Sequence, residues 1–206
     1  MELHRPFSII TPTLDGDVLA ILARSDATFT TGQLHRLLPH VSQEGIRLVA
    51  QRLGRQGILT VDRVGNTFTY RLNREHVAAS SLIAIADLMG AFLARLTDRL
   101  AEWDPQPAYG AVFGSAARGE MSTSSDIDVL LVRPAGADET VWDAQVQELA
   151  RDITRWTGND ARPLVMDESD IRPGEPVLHD VTAHGLTVAG THDWLARRLR
   201  KTKATT

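Results

Sequence analysis

One stretch at residues 112–132, VFGSAARGEMSTSSDIDVLLV, constrains this chain more than any other. An apolar run stops at Gly114 and Ser115, and a second apolar run opens with Asp126 and Asp128, one residue apart. Residues 108–113 alternate like a strand, SAARGEM turns helical, and IDVLLV reads as a second strand. Side chains alternate along a strand, so both carboxylates project from one face. Two neighbouring anions there repel each other unless a cation lies between them. A hard divalent ion with oxygen ligands, Mg2+ or alternatively Mn2+, is the natural partner. Glycine at the turn lets a phosphate come close to the backbone, and amides left open at a helix start attract anions. Ser115 adds a hydroxyl donor.

The 206 residues, 43% of them hydrophobic, suffice for one large core or two small ones. No cysteine is present, which excludes disulfides, cysteine-ligated zinc and a thiol nucleophile. The first residues carry no signal-peptide pattern, and no apolar run reaches the roughly 20 residues of a membrane span. A cytoplasmic protein with no membrane partner is the expectation. Charge is uneven: residues 31–74 hold seven arginines against Glu44 and Asp62, whereas acids exceed bases from His76 onward. That asymmetry points to a basic module joined to an acidic one.

In the first module, residues 16–24 space Val18, Leu19, Ile21 and Leu22 like a buried helical stripe. A second helix follows Thr30 or Thr31 with Leu34, Leu37 and Leu38 facing inward, and Pro39 stops it. A third begins at Ser42, a capping residue, and sets Ile46, Val49, Ala50 and Leu53 on one face. Gly57 ends it. Two alternating runs around Gly65 and Asn66 then form a hairpin. Gln43, Arg47, Gln51 and Arg55 recur every four residues, giving one polar, basic face suited to a major groove. Arg63 and Arg71 flank the hairpin turn, where phosphates would be met.

Three helices and a hairpin in this order resemble a winged helix-turn-helix of the MarR/ArsR type. The resemblance implies double-stranded DNA as partner, with residues 42–55 as the recognition helix and Ser42 at its start. Residues 78–103 read as one long helix with a wide stripe through Leu82, Ile85, Met89, Phe92, Leu96 and Leu100. That stripe packs either within the chain or against its copy in a homodimer. The segment DPQP at 104–107 breaks the helix, and the module boundary is placed there.

GSAARGEMSTSSDIDVLLV is similar to the signature of the DNA polymerase β-type nucleotidyltransferase superfamily, nearest its small bacterial, minimal branch. The resemblance covers about twenty residues, and beyond them only the order of strands and helices matches. It implies that Gly114 and Ser115 hold the phosphates of a nucleoside triphosphate, with Arg118 as a further contact or bonded to a nearby acid. It also implies that Asp126 and Asp128 hold Mg2+. The superfamily's third carboxylate would fall near Arg162, which is not an acid. Asp160, two residues earlier on the same strand face, substitutes for it, or there is no third acid. Asp167 reads as a turn cap. His179 and His184 are five apart and share no ligand face, and Arg197, Arg198, Arg200, Lys201 and Lys203 form a basic end.

The expected fold is therefore α+β. A winged helix-turn-helix (residues 1–76) is joined by a linker helix (77–104) to a nucleotidyltransferase-type mixed sheet with flanking helices (105–206). Three functions follow: transfer of a nucleoside monophosphate to an unknown hydroxyl, a DNA-binding regulator whose transferase fold senses nucleotide without turnover, and an antitoxin-type transferase with a toxin or other protein as acceptor.

Overall fold

A computed structural model describes residues 1–203 and divides the chain into two compact units. One comprises residues 4–88 with Glu2, the other begins at Met89 and includes Met1 and Leu3. No single helix among the described residues is long and apolar enough to cross a membrane.

In the first unit helix α1 (Leu14–Ala23) precedes a two-residue strand β1 (Phe29–Thr30), helices α2 (Thr31–Leu37) and α3 (Gln43–Arg55), and strands β2 (Leu59–Val64) and β3 (Thr67–Leu72). Local chemistry sets the helix starts. Thr30 accepts from the Gln33 amide at 3.2 Å while the Gln33 side chain accepts from the Thr30 amide at 2.7 Å, a reciprocal capping box. Ser42 accepts from the Gly45 amide at 3.1 Å and so fixes where α3 begins. The strands form one antiparallel sheet in the order β1-β3-β2. Its hairpin closes with Val64 opposite Thr67, and Gly65 takes the positive φ of +61° the tight turn requires. Val18, Leu22, Leu34, Ile46, Ala50 and Tyr70 are sealed in the core between helices and sheet.

The single helix expected over residues 78–103 is two helices, α4 (Ala79–Ala86) and α5 (Leu88–Ala101), interrupted at Asp87. The apolar stripe serves two cores. Leu82, Ile83 and Ile85 pack on the first unit, whereas Phe92, Leu96 and Leu100 are buried in the second. Much of the stripe is thus covered within the chain.

The second unit continues with β4 (Tyr109–Phe113), the short α6 (Gly114–Arg118), β5 (Ile127–Arg133), α7 (Glu139–Thr157), β6 (Ala161–Asp167), α8 (Pro176–His184), β7 (Leu186–Ala189) and α9 (Trp194–Lys203). The mixed sheet runs β6-β5-β4-β7, with β5 parallel to β6 and antiparallel to β4. A parallel pair needs a crossover, and α7, capped by Asp138 on the Val141 amide at 2.9 Å, supplies it. Strand β5 is central and covered on both faces: Ile127, Val129, Leu130, Leu131 and Val132 are all fully buried. Burying each such side chain contributes roughly 1.5–3 kcal/mol. At the far end of the strand, Arg133 donates to Asp167 at 2.6 and 3.0 Å. Asp167 is therefore an ion-pair partner and not the turn cap expected of it, since its side chain makes no capping bond. The side chains of Lys201 and Lys203, part of the expected basic end, lie outside the described residues.

Candidate functional site

Antiparallel pairing brings the end of β4 to the beginning of β5. Phe113 lies opposite Asp128, and on the other side Asp128 lies opposite Arg162 of β6. The three strands therefore deliver Gly114, Asp128 and Arg162 side by side at one end of the sheet. Asp126 precedes β5 directly and pairs with Arg162 at 2.8 Å. The loop ahead of it is held by hydroxyls and an amide: Ser125 accepts from the Ser122 amide at 2.8 Å, and buried Asn159 donates to the Ser125 carbonyl at 2.8 Å. Asn159 is a positioning residue that the sequence alone did not single out.

Gly114 has φ +67°, and a Cβ there would overlap Asp128 Oδ2. Backbone turn and carboxylate converge on one small space, so a group seated there meets both. The half-buried Ser115 beside it makes no side-chain hydrogen bond among the described residues, which leaves its hydroxyl available. The space also has an occupant of the protein's own. Asp180 of α8 accepts from the Gly114 amide at 3.4 Å and from Arg118 Nη1 at 3.1 Å through both oxygens. Arg118 also donates to Glu120 at 2.9 Å. The groups expected to meet a triphosphate are thus bridged by an internal anion.

Burial pushes the Asp128 carboxyl above the ordinary aspartate range, reinforced by Asp126 and Asp180 and opposed by Arg162 and Arg118. For Asp180 burial works upward too, but the Gly114 amide, Arg118 and His184 together pull its carboxyl below the ordinary value. Asp160 is placed differently. Its carbonyl accepts from the Ile127 amide at 2.8 Å and it lines a cavity with Asp126, but it is not among the charges acting on Asp128. Arg162 is the β6 residue in register with Asp128. Asp180 could not be found this way, because it is an ordinary helical acid 66 residues from Gly114.

The donor set bears on the metal. No three His, Cys, Asp or Glu side chains among the described residues converge to hold an ion. Magnesium needs only one or two carboxylates when substrate phosphates fill its other positions, and Asp126 with Asp128 beside the Gly114 turn fits that requirement.

In the first unit, Gln43, Arg47, Gln51 and Arg55 share α3, with Gln43 and Arg55 exposed. Arg47 is held by Glu44, its Nε donating at 2.8 Å, and Arg63 folds back to the Gly65 carbonyl at 3.1 Å. Arg55 and Arg71 make no ion pair among the described residues. Leu48, on the same helix, is 54% exposed, an apolar residue that the helical pattern did not place outside.

Residues 94–174 match the nucleotidyltransferase domain. The matched residues begin within α5, end beyond β6 and include Gly114, Ser115, Asp126, Asp128, Asp160 and Arg162, while Asp180 lies outside them. No curated protein matches the chain. Among solved structures, it is similar to a toxin-antitoxin with AMP-PNP, at 19% identity and a TM-score of 0.41 over 55% of this chain and 85% of that one. It is also similar to a complex of tri-AMPylated Shewanella oneidensis HEPN toxin with MNT antitoxin, at 17% identity and a TM-score of 0.38 over 56% and 84%.

Proposed function

We propose that the chain binds DNA through its first unit and, at its nucleotidyltransferase domain, binds Mg-NTP and transfers a nucleoside monophosphate to a hydroxyl. The observation that carries the second half is the convergence of the Asp128 carboxylate on the positive-φ turn at Gly114, with Asp126 beside it. Gly114 and Ser115 take the triphosphate, Arg118 steadies it, and Asp126 with Asp128 hold Mg2+ or Mn2+. When bound, the ion neutralises the α-phosphate and the leaving pyrophosphate. The chain's own contribution is placement of the triphosphate against the two acids. Incubation with Mg2+ and labelled NTPs should release pyrophosphate.

A second reading has a specific observation in its favour: Arg162 stands opposite Asp128 and pairs with Asp126, where a third acid would serve turnover. Under it, the domain senses nucleotide and adjusts DNA affinity. Nucleotide binding without pyrophosphate release from any NTP, together with a nucleotide-dependent change in DNA affinity, would select it.

Asp180 must leave the Gly114 amide for a phosphate to reach it. Asp180→Asn removes one negative charge from the path of the triphosphate and should tighten Mg-NTP binding by about three- to tenfold, measured by calorimetry. Weaker binding would instead make Asp180 the residue that holds Arg118 in place.

For the first unit, the element order α-β-α-α-β-β and the cap at Ser42 support the winged-helix reading, with Gln43, Arg47, Gln51 and Arg55 toward the groove and Arg63 and Arg71 toward phosphates. Replacing Arg47 and Arg55 by alanine should weaken binding to double-stranded DNA by about tenfold and flatten its salt dependence. Unchanged affinity would remove α3 from the interface.

A further inference from the structure

On the β6 side of Asp126 lies an open cavity of about 620 Å³ lined by Arg151, Thr154 and Arg155 of α7, by Arg162, and by Asp126 and Asp160. Its place follows from the strand order. Strand β5 sits between β4 and β6, so the Gly114 turn flanks the two aspartates on one side and this groove flanks them on the other. Displacement at phosphorus puts the incoming oxygen opposite the leaving group. A triphosphate anchored on the β4 side therefore leaves the β6 side for the second substrate.

The lining says what that substrate carries. It has no aromatic residue and no large apolar one, only Ala150 and Ala161 besides the polar groups. Neither a stacked base nor an apolar side chain would be recognised there. Guanidinium groups dominate. Arg151 is exposed and makes no ion pair among the described residues. Arg155 is 74% exposed, and its partner Asp152 is also held by Arg99 at 3.1 Å. Arg162 is 71% exposed and reaches Asp126 from the groove side. Arg151 and Arg155, one helical turn apart, present neighbouring planar forks, the geometry that grips phosphate oxygens in pairs.

We infer that this groove binds the acceptor, and that the acceptor is a hydroxyl compound bearing phosphate, either a free nucleotide or the end of a single-stranded nucleic acid. The inference rests on the transferase reading above and names its substrate class. In the reaction the acceptor oxygen forms a bond to the α-phosphorus. The bond from that phosphorus to the bridging oxygen breaks, and pyrophosphate leaves with its electron pair. The hydroxyl proton passes to the Asp160 carboxylate, which lines the groove.

The chain lacks cysteine, so a thiol introduced at exposed Gln147, one turn before Arg151, is the only site for a thiol-reactive dye. The labelled Gln147→Cys protein is first saturated with Mg2+ and a non-hydrolysable triphosphate, followed by a separate fluorescent triphosphate competition. It is then titrated with a nucleoside, its 5′-monophosphate, and a single-stranded trinucleotide with a free 3′-hydroxyl. The dye should respond to the phosphate-bearing probes and not to the nucleoside. Response to the monophosphate assigns the groove to free nucleotides, and response to the trinucleotide alone assigns it to nucleic-acid ends. Arg151→Ala with Arg155→Ala should weaken that response by about tenfold or more and leave triphosphate affinity within about twofold. A dye response equal for nucleoside and monophosphate, or indifferent to the arginines, would overturn the inference with the triphosphate still bound. Failure of the triphosphate itself to bind would strike the transferase reading instead.

Discussion

Replacing Asp126 and Asp128 together by asparagine should weaken Mg2+-dependent nucleotide binding by about hundredfold or more and abolish pyrophosphate release. Asparagine keeps the shape of each side chain but removes the charge, so the cation loses the two ligands that draw it to the mouth of β5. The stability arm is read on Asp128→Asn alone, because Asp126 also forms an ion pair with Arg162. Burial and two neighbouring acids raise the Asp128 carboxyl in the folded chain. A carboxyl raised by folding contributes its stability below the unfolded value and loses it as pH rises through the folded one. At neutral pH the ionised group therefore strains the fold, and the neutral isostere should melt about 1–3 °C higher, a small gain because solvent screens the site. The gap between variant and wild type should open as pH rises from the ordinary aspartate value through the raised folded one and then stay constant, followed by calorimetry at several pH values. A variant that melts lower throughout would show that Asp128 holds the structure together and is not held in tension by it.

Gly114→Ala should be the most damaging substitution that alters no charge. The residue sits at φ +67°, where a side chain costs about 1–2 kcal/mol, and its Cβ would fall on Asp128 Oδ2. The carboxylate must swing aside, so nucleotide affinity should fall by about tenfold or more along with stability. Gly136→Ala separates the two effects. Gly136 has φ +82° with nothing near its open side, so alanine there carries the backbone strain without the collision. Gly114→Ala should lose at least as much stability as Gly136→Ala in chemical denaturation, and only Gly114→Ala should lose nucleotide. Equal nucleotide affinity in the two would place the triphosphate elsewhere.

Much of the local structure is legible in the sequence because its causes are local. Ser42 and Thr30 cap the helices whose starts they mark, Gly65 closes its hairpin, and the apolar run that follows Asp126 is a strand carrying Asp128 near its start. The long apolar segment misleads for an equally physical reason. Helical spacing reports that a face is buried but not what buries it, and Asp87 is where the chain passes from one core to another. Asp167 misleads likewise, since its partner Arg133 lies on a different strand.

The sequence by itself supplied the residue types at 112–132: a glycine and a serine where an apolar run stops, and two aspartates one residue apart where the next apolar run opens. The resemblance to the nucleotidyltransferase signature also pointed to Arg162 as the residue where that superfamily carries an acid. Only the tertiary structure decided that Asp180 closes the Gly114 amide and Arg118, and that Arg151, Arg155 and Arg162 meet in one groove beside Asp126. Those relations join helices to strands through space, and a hydrogen bond between residues 66 apart leaves no periodicity for a reader of the chain to find.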